Sequence, residues 1–330
     1  MKHLKVAVVG GGSWATALVK ALCENLENLG WWMRNAYAVQ HIEMKKRNPN
    51  YLSAVSLPTD RLTLSTDLNR IVGEADCIIF AVPAAFLATA LEDLRVSLKE
   101  KVVVSAIKGM VPESNCIIGQ YFVDEQGVSR DQIAVISGPC HAEEVALGRL
   151  SYLTIACENQ MIGEKIARVL GSDYIKTKIS ADMYGTEYAA VLKNIYAIAA
   201  GIAHSLGYGD NFQAVLLSNA IREMSKFLAA VHPIRRDIKG LAYLGDLLVT
   251  AYSSFSRNRM FGSMIGKGYT VRAAQLEMNM IAEGYYAASG IEQVKDAHGL
   301  KMPIASAVYH ILYGDKSPER AIKALSTKLN

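Results

Sequence analysis

Short apolar runs alternate with amphipathic stretches along the first half of the chain. The continuous apolar runs predict strands at Leu4–Val9, Leu29–Met33, Leu62–Leu64, Cys77–Val82, Val102–Ala106 and Ile133–Ile136. The stretches between them predict helices at Ala15–Leu26, Ala36–Lys46, Ala84–Leu94, Cys116–Phe122 and His141–Leu147. Because strands without in-out alternation are buried on both faces, this order predicts a parallel sheet covered by helices. Further candidate strands at Leu153–Cys157 and Tyr174–Lys178, around a predicted helix at Met161–Leu170, would extend the same sheet.

The pattern changes after about Ala181, where long helical stretches run to Leu329. Glycine-rich turns separate these stretches, and neither strand alternation nor an internal repeat is present. The predicted fold is an α/β, Rossmann-like, doubly wound parallel sheet over residues 1–180, followed by an all-α domain over residues 181–330. Ligands of such sheets bind beyond the carboxyl ends of the strands, so a second domain covering that edge would close a cleft over the chemistry.

The bulk composition excludes several classes of protein. Hydrophobic residues make up 51% of the 330 positions and charged residues 20%, which is typical of a globular protein with a substantial core. The net charge of +4 lacks the basic excess of a nucleic-acid binder, so no nucleic-acid partner is predicted. The first apolar run, Leu4–Val9, is too short for a signal peptide. The apolar segment Ala189–Ala203 contains Lys193 and falls short of the ~20 residues of a membrane span.

The cysteines predict neither a disulfide framework nor a metal site. They are five in number and widely spaced, and no two of them form a CxxC pair. Their positions are Cys23, Cys77, Cys116, Cys140 and Cys157. Reduced thiols are typical of a cytoplasmic protein, and that is the predicted location.

A glycine loop follows the first predicted strand. Residues 10–15 have the sequence GGGSWA, which is a GxGxxA pattern between a strand and a helix. Gly10 permits a tight turn, Gly12 lets the backbone approach a pyrophosphate, and Ala15 allows close packing of the helix on the strand. The helix N-terminus offers N–H groups and a positive dipole end to phosphates. The loop therefore predicts a dinucleotide site, with a purely structural turn as the alternative.

The second predicted strand ends without the acidic residue that is typical of a site for NAD. Residues 32–35 have the sequence WMRN, so Arg34 stands near the expected position of the acid. Arg34 could stack on adenine or pair with a 2′-phosphate, and a solvated arginine at a strand end is the alternative. The choice between NAD and NADP is left open.

A lone charge interrupts an otherwise apolar helix in the second half of the chain. The predicted helix Ala189–Ala203 is apolar almost all round and is therefore expected to be buried, with Lys193 inside it. Buried lysines are rare unless they are paired. A lysine so placed can donate a proton to a carbonyl group. The alternative is a lysine that reaches solvent from one edge of the helix.

A polar stripe predicts the partner of this lysine. At helical spacing, Asp246, Thr250, Ser253 and Arg257 lie on one face of a largely apolar stretch. Such a stripe indicates a lined cleft, in which Asp246 is the carboxylate that pairs with Lys193. The three residues that follow the stripe, Ser256, Arg257 and Asn258, are predicted to bind a phosphate or neighbouring hydroxyls, since a guanidinium fork suits phosphate oxygens. An amphipathic helix facing water is the alternative.

Two further segments end predicted strands at the ligand-binding edge. Lys108 stands just past the strand Val102–Ala106, and a Gly138-Pro139 bend precedes a helix after the strand Ile133–Ile136. The bend would present backbone N–H groups, although either segment could be a plain turn. Adjacent Cys140 and His141 do not indicate a nucleophile and its base, because neighbours at a helix start point apart.

Taken together, these segments resemble the NAD(P)-dependent glycerol-3-phosphate dehydrogenase family over essentially the full chain. The matching segments are GGGSWATAL, NPNYLSAVSLP, DCIIFAVP, SAIKGM, SGPCHAEEVALG, LKNIYAIAAGIAHSLGYGDN, GLAYLGDLLVT, SRNRMFG and IAEG. Several motifs in the family's order are far more specific than any one of them.

The resemblance implies a role for each matching position. Positions on the cofactor side are Gly10, Gly12, Ser13, Trp14, Arg34, Lys108, Ala142, Arg257, Ile281 and Glu283. Positions on the substrate side are Lys108, Gly138, Cys140, Lys193, Asp246, Ser256, Arg257 and Asn258. Lys193 matches the catalytic lysine, Asp246 joins it as a catalytic group, and no metal is implied.

The chain departs from the family pattern at four positions. Ala15 replaces the usual third glycine, Cys140 stands where serine or threonine is common, and His141 replaces a usual phenylalanine. Tyr243 stands in a turn that is normally rich in glycine. Cys140 puts one substrate hydrogen bond in doubt, and none of these departures removes a proposed catalytic group.

The implied function is the interconversion of dihydroxyacetone phosphate and sn-glycerol 3-phosphate with NAD or NADP, which would supply glycerol 3-phosphate for phospholipid synthesis. The implied partner is a small phosphorylated substrate, and a homodimer is left open. One alternative is another two-domain reductase, of the β-hydroxyacid or ketopantoate type. A second is a non-catalytic dinucleotide sensor, which would retain the glycine loop but need neither Lys193 nor Asp246.

Overall fold

The computed structural model describes residues 4–278 and 280–330. It divides the chain into two compact units. The sheet unit contains Met1–Ile107 and Ile118–Met183, and the helical unit contains Lys108–Ile117 and Tyr184–Asn330. The predicted domain boundary lies close to the second junction, but it assigns residues 108–117 to the first domain, whereas this short segment packs with the helical unit.

The sheet unit is built on eight strands. These are β1 Val6–Val9, β2 Leu29–Trp32, β3 Leu62–Ser65, β4 Cys77–Phe80, β5 Val102–Ser105, β8 Ile133–Ser137, β9 Ser151–Cys157 and β10 Ile175–Ser180. Their spatial order is β10-β9-β8-β5-β4-β1-β2-β3. All four residues of β1 and of β4 are buried, as expected for strands covered on both faces. The predicted Rossmann-like sheet is therefore confirmed.

One pairing departs from the predicted parallel sheet. Strand β9 pairs antiparallel with β8, with Ser137 opposite Thr154, while β10 pairs parallel with β9. The connection between β8 and β9 is short and carries only a five-residue helix. A helix of five residues is about 7.5 Å long, shorter than the ~17 Å of the five-residue strand β8, so it does not carry the chain back to the edge from which a parallel strand would start. The parallel strands β8, β5, β4, β1, β2 and β3 still share one carboxyl edge.

Seven α-helices belong to the described part of the sheet unit. They are α1 Ser13–Leu22, α2 Ala36–Lys45, α3 Leu68–Glu74, α4 Leu87–Leu91, α5 Ile118–Asp124, α6 Ala142–Ala146 and α7 Gln160–Leu170. Short 3₁₀ turns lie at Thr59–Arg61, Ala84–Phe86 and Arg130–Gln132. The predicted helix Ala84–Leu94 is wrong in extent, because a 3₁₀ turn occupies its start and α4 ends at Leu91.

The predicted helix at Cys116–Phe122 is also wrong at its beginning. Cys116–Ile117 forms strand β7, which pairs antiparallel with β6 at Met110–Val111, and α5 starts only at Ile118. Asn115, between the two strands, has a φ of 50°, so it turns the chain in the left-handed region. A two-residue strand carries too little periodicity for the sequence pattern to reveal it.

The described residues of the predicted all-α domain, residues 181–330, contain eight α-helices and no strand, which confirms the prediction, and the β6–β7 hairpin joins this unit from residues 110–117. The helices are α8 Met183–Ser205, α9 Asp210–Val231, α10 Asp246–Tyr252, α11 Arg257–Gly266, α12 Val271–Glu277, α13 Glu283–Ala297, α14 Pro303–Tyr313 and α15 Pro318–Ser326. A π-helical turn at Leu241–Gly245 leads directly into α10.

Helix α8 is the centre of this unit. Every residue from 189 to 203 is buried, which confirms the expectation drawn from its apolar composition. Two glycines let α11 approach α8 at backbone distance: a Cβ on Gly201 would collide with the carbonyl oxygen of Arg259, and one on Gly262 with that of Ile198. The close crossing fixes the start of α11 relative to the lysine-bearing turn of α8.

Candidate active site

A buried ion cluster lies in the helical unit. The ammonium of Lys193 donates to Oδ1 of Asp246 at 2.5 Å, and the ammonium of Lys108 lies 3.7 Å from Oδ2 of the same carboxylate. Lys193 is 3% exposed and Asp246 is 1% exposed, whereas the side chain of Lys108 is 19% exposed. One carboxylate therefore contacts two ammonium groups in a largely dry environment, where electrostatic interactions are stronger than in water.

Three different elements supply this cluster. Lys193 projects from the buried α8, Asp246 is the first residue of α10, and Lys108 precedes strand β6. Because the π-helical turn Leu241–Gly245 runs directly into α10, Asp246 stands inside a continuous helical segment, which fixes the backbone that carries its carboxylate. Thr250, one turn along α10, donates to the carbonyl oxygen of Asp246 at 2.6 Å. Its hydroxyl also lies 3.5 Å from Oδ1 of that aspartate, so the stripe predicted for α10 holds over this first turn.

Farther along, the predicted stripe fails. Helix α10 ends at Tyr252, Ser253 is its C-cap with extended backbone, and a new helix begins at Arg257. Ser253 and Arg257 therefore do not continue the helical face of Asp246. The hydroxyl of Ser253 accepts the N–H of Phe255, a local bond that competes with helix continuation.

Asn194 is a site residue that the sequence analysis did not single out. Its amide nitrogen donates to the carbonyl oxygen of Lys108 at 2.7 Å, and the residue is only 4% exposed. This bond fastens the Lys108 segment to the turn of α8 that carries Lys193. The sequence does offer a signal for Asn194, which follows Lys193 in an apolar helix. A side-chain amide buried in such a helix needs a polar partner.

The predicted phosphate-binding residues surround the N-terminus of α11. Ser256 is the N-cap, and its hydroxyl accepts the N–H of Arg259. Oδ1 of the buried Asn258 accepts the N–H of Gly284 in α13 at 2.9 Å. Arg257 donates to the carbonyl oxygen of Ile281 at 3.3 Å.

The structure thus brings Ser256, Arg257 and Asn258 to one helix start beside Ile281. Glu283 is the first residue of the adjoining helix α13. The N-terminus of α11 carries no acidic residue in its first turn, so the positive end of its dipole and the guanidinium of Arg257 both favour an anion.

In the sheet unit, the glycine loop joins β1 to α1. Gly10 has a φ of +132°, and a Cβ there would lie 2.7 Å from the carbonyl oxygen of Ala81. At Gly12, by contrast, a Cβ would meet no atom within 4 Å. Gly10 is therefore required by the fold, whereas the absent side chain of Gly12 leaves open space beside the N-terminus of α1. That open cradle fits the close approach of a dinucleotide pyrophosphate.

The other candidate residues of the loop lie at the start of α1. Ser13 is buried, Trp14 is half-buried, and Ala15 is fully buried where α1 packs on the sheet. No acidic residue occupies the first turn of α1. The helix therefore presents an N-terminus that favours phosphate.

Arg34 lies two residues beyond β2 and is exposed. The next residue, Asn35, is the N-cap of α2, and its side chain accepts the N–H of Ala38 at 3.1 Å. The side chain of Asn35 is thus used to cap α2, and Arg34 is the charged residue that follows the carboxyl end of β2.

The second strand-end segment follows β8 in the sheet unit. Gly138 has a φ of +115°, and a Cβ there would lie 2.7 Å from the carbonyl oxygen of Tyr152, so only glycine fits. The thiol of Cys140 donates to the carbonyl oxygen of Gly138 at 3.2 Å and is 8% exposed. His141 is the N-cap of α6, and Ala142 is its first residue. Cys140 is thus bound to the backbone of its own turn.

The described residues contain neither a cluster of metal-ligating side chains nor a helix that could cross a membrane. No group of three or more His, Cys, Asp or Glu side chains in residues 4–278 and 280–330 is placed to hold a metal ion. Within the same residues, no helix combines the length and the apolar character that a membrane crossing requires.

A Rossmann-like sheet unit with a glycine loop, together with a helical unit that holds a buried lysine-carboxylate pair, defines the class of two-domain nicotinamide-dependent oxidoreductases. Within that class, the chain belongs to the NAD-dependent glycerol-3-phosphate dehydrogenase family. The model of the family's N-terminal domain matches residues 5–163, and the model of its C-terminal domain matches residues 182–323.

Curated relatives share this family over their full lengths. The chain is 33% identical over 323 residues to glycerol-3-phosphate dehydrogenase [NAD(P)+] of Enterococcus faecalis, which covers 97% of this chain and 95% of that protein. It is 33% identical over 327 residues to the protein of the same name from Chlorobium phaeobacteroides, covering 98% of each.

Solved structures agree with this assignment. The crystal structure of glycerol-3-phosphate dehydrogenase from Coxiella burnetii matches with a TM-score of 0.90 at 28% identity, covering 98% of each chain. A ketopantoate reductase from Ralstonia eutropha matches with a TM-score of 0.61 at 16% identity, covering 97% of this chain and all of that chain, and it shares the fold alone.

Proposed function

We propose that this chain interconverts dihydroxyacetone phosphate and sn-glycerol 3-phosphate by hydride transfer with NAD(P)H, and that it supplies glycerol 3-phosphate for phospholipid synthesis. The observation that carries the proposal is the ammonium of Lys193, which is buried in α8 and held at 2.5 Å by Asp246. A sensor that only binds a dinucleotide has no need of a buried lysine-carboxylate pair. Family membership supports the substrate, because its curated relatives carry that activity in their names.

The residues of the sheet unit fit a dinucleotide. Gly10 and Gly12 would hold the pyrophosphate against the N-terminus of α1, with Ser13, Trp14 and Ala142 as further contacts and Arg34 toward the adenosine ribose. When bound, the reduced nicotinamide supplies the hydride. Ile281 and Glu283, at the start of α13, would lie on the nicotinamide side. Both NAD and NADP are proposed cofactors, because no acidic residue stands at the end of β2 to repel a 2′-phosphate.

Lys193 would donate a proton to the carbonyl oxygen at C2 of dihydroxyacetone phosphate as that carbon is reduced. Its short bond to Asp246 fixes the ammonium in one orientation, and burial keeps water from competing for the proton. Lys108 would stabilise negative charge developing on the same oxygen, because it shares the aspartate with Lys193.

The phosphate would be held by the start of α11. Arg257 supplies a guanidinium fork, and Ser256 adds the N-terminus that it caps. Asn258 has committed its oxygen to Gly284, so its amide nitrogen is the group that would donate to the substrate. Gly138 and Cys140 would contribute through the backbone of their turn.

Other two-domain reductases are the competing proposal, since a ketopantoate reductase shares the fold. The basic helix start at Ser256–Asn258 favours a phosphorylated substrate over β-hydroxy acids or ketopantoate. We further propose a cytoplasmic location, supported by five cysteines that are all free thiols. A homodimer stays a prediction.

The experiment that tests the activity is oxidation of NADH and of NADPH by the purified chain in the presence of dihydroxyacetone phosphate, ketopantoate or unphosphorylated dihydroxyacetone. We expect rapid oxidation with dihydroxyacetone phosphate and formation of sn-glycerol 3-phosphate. Turnover of ketopantoate without turnover of dihydroxyacetone phosphate would overturn the proposal in favour of its competitor.

A further inference from the structure

The three glycine carbonyls of the dinucleotide loop are each bound by a side chain that is fully buried. Nε1 of Trp31 donates to the Gly10 oxygen at 2.7 Å, and Nδ2 of Asn48 donates to the Gly11 oxygen at 3.1 Å. Oγ1 of Thr16 donates to the Gly12 oxygen at 2.9 Å. All three donor residues are 0% exposed. The side chains of Trp31 and Asn48 therefore hold the peptide planes of the Gly10 and Gly11 carbonyls, whereas the Gly12 carbonyl is held by both the hydroxyl and, at 3.0 Å, the backbone N–H of Thr16 in the first turn of α1.

This arrangement determines where the loop's N–H groups point. No peptide bond between described residues is cis, and in a trans peptide the N–H points opposite to the C=O of the same plane. The N–H groups of Gly11, Gly12 and Ser13 consequently point away from the three side-chain donors. Successive N–H groups turned to one side form a concave site for an anion.

Asn48 differs from the other two donors in its origin. Trp31 belongs to the neighbouring strand β2 and Thr16 to the helix that the loop begins, whereas Asn48 lies beyond α2, in the loop that follows. It belongs to the segment NPNYLSAVSLP, which matched the family but received no role in the proposed function.

The hydrogen-bonding capacity of Asn48 is completely used. Its nitrogen donates both to Gly11 and, at 2.8 Å, to the hydroxyl of Thr16. Its oxygen accepts the N–H groups of Asn50 at 3.0 Å and Tyr51 at 3.2 Å. An amide offers two donors and two acceptor sites, and all four are satisfied here. The side chain thus joins the turn at residues 48–51 to two points of the glycine loop.

We propose that Asn48 is a positioning residue of the dinucleotide site, one that holds the glycine loop in its anion-binding orientation before the ligand arrives. This inference rests on the proposed function insofar as the ligand is NAD(P)H. Asn48 acts on the ligand through the Gly11 peptide and through Thr16. A loop ordered in advance binds more tightly, because it loses less conformational freedom on binding.

The test is direct binding of NADH, followed by nucleotide fluorescence, to wild type and to Asn48→Asp. The substitution is isosteric and keeps the acceptor for Asn50 and Tyr51, but it places an oxygen opposite the Gly11 carbonyl. We expect the Kd for NADH to rise by ~10-fold or more, and the Kd for ADP to rise with it, because pre-ordering of the loop is lost. We also expect kcat at saturating NADH to stay within about threefold, since the lysine-carboxylate pair belongs to the other unit.

The matched control is Asn25→Asp. Asn25 also donates from its amide nitrogen to two backbone carbonyls of the sheet unit, those of Val169 and Gly171, but it touches no residue of the glycine loop. We expect its Kd for NADH to equal that of wild type. Asn48→Ala is the second variant, in case the aspartate disturbs folding, and the melting temperature of each variant is measured without ligand.

A fall in melting temperature with an unchanged Kd for NADH, in whichever Asn48 variant folds, would overturn the proposal and leave Asn48 a purely structural residue. If wild type binds NADH but fails to reduce dihydroxyacetone phosphate, the proposed substrate is wrong, and the Asn48 proposal is still decided by the Kd of its variants. If wild type binds neither NADH nor NADPH, both proposals are overturned.

Discussion

The two units build their candidate sites from different materials. In the sheet unit the candidate site is formed by backbone groups. Side chains of Trp31, Asn48 and Thr16 bind the carbonyls of the glycine loop, and the loop's N–H groups point away from them, beside the open space at Gly12. In the helical unit the site consists of ionised side chains, with Lys193 and Lys108 sharing Asp246. Recognition in the first depends on shape, and chemistry in the second depends on charge.

Two glycines, one in each unit, also differ in what the absence of a side chain allows. Gly12 has ordinary backbone angles, with a φ of −78° and a ψ of −177°, and its missing side chain leaves room that nothing in the protein fills. Gly262 is instead pressed against the backbone of α8. We propose that Gly12 serves a ligand, whereas Gly262 serves packing, so replacing each should affect a different measurable quantity.

The largest expected effect is on turnover. Lys193→Ala removes the proposed proton donor but leaves Asp246 paired with Lys108, so kcat should fall by about 10²- to 10⁴-fold while the Kd for NADH is unchanged. The measurement is steady-state reduction of dihydroxyacetone phosphate together with an NADH titration. Turnover close to that of wild type would remove Lys193 from the catalytic role.

The next largest expected effect is on the free energy of unfolding, through the packing of α11 on α8. Gly262→Ala places a methyl group against the carbonyl oxygen of Ile198, a backbone atom that cannot move aside, and should lower the free energy of unfolding by about 3 kcal/mol. The control is Gly209→Ala in the same unit, where a Cβ meets nothing within 4 Å and only the N-cap of α9 changes, so the free energy of unfolding should fall by about 1 kcal/mol or less. Equal urea midpoints for both variants would show that the α8–α11 crossing can relax.

A buried carboxylate in the helical unit should make stability depend on pH. Glu223 in α9 is 5% exposed and accepts the N–H groups of Ile304 and Ala305 at the start of α14, at 2.9 and 3.0 Å. Its pKa is raised from 4.5 to about 7, chiefly by burial, and the negative charge of Glu292 contributes in the same direction. The two backbone hydrogen bonds act in the opposite direction but do not outweigh burial.

The sign follows from proton linkage. Between pH 4.5 and 7 the folded state holds a proton that the unfolded state releases, so stability is greatest below this window and falls as pH rises through it. The loss should be about 3 kcal/mol, and Glu223→Gln should abolish it. Urea unfolding at pH 4.5 and 7.5 measures the difference, with Glu277→Gln on the exposed face of α12 as control. A pH slope that persists in Glu223→Gln would assign it to other groups.

A smaller effect is expected from Arg257→Lys, which retains the charge but loses the bidentate fork. We expect kcat/KM for dihydroxyacetone phosphate to fall by about tenfold, with little change for unphosphorylated dihydroxyacetone. Equal losses on the two substrates would show that Arg257 does not bind the phosphate.

The smallest effect concerns the exposed Arg34. Solvent weakens a contact between its guanidinium and a 2′-phosphate, so Arg34→Ala should lower kcat/KM for NADPH by about three- to tenfold and spare NADH. Equal losses would indicate stacking on adenine instead. Complete rejection of NADPH by wild type would contradict the proposed use of both cofactors.

The sequence predicted those features of the fold and the candidate site that depend on the local pattern of apolar and polar residues. Continuous apolar runs predicted the strands of the sheet, and the single lysine of α8 together with Asp246 predicted a pair that the structure places 2.5 Å apart. These features follow from burial and periodicity, which each stretch of chain carries within itself.

The features that were missed depend on distant contacts. The residues of Ser151–Cys157 do not themselves determine whether this strand runs parallel or antiparallel to β8, because its direction is set by the connection that precedes it. The break at Ser253 replaces a helical bond with a side-chain bond of similar strength. Asn48 finds its partners 32 and 37 positions away, so its role becomes visible only in the folded chain.

We propose, above all, that cofactor affinity resides in the backbone of the sheet unit and that proton transfer resides in the lysine of the helical unit. The most direct test measures the Kd for NADH and kcat at saturating NADH in Gly12→Ala and Lys193→Ala side by side. We expect Gly12→Ala to keep its melting temperature but to raise the Kd by ~10-fold or more, because its methyl group occupies the open space. Lys193→Ala should keep the Kd of wild type and lose kcat. If Lys193→Ala weakens NADH binding as much as Gly12→Ala does, the division between the two units is contradicted.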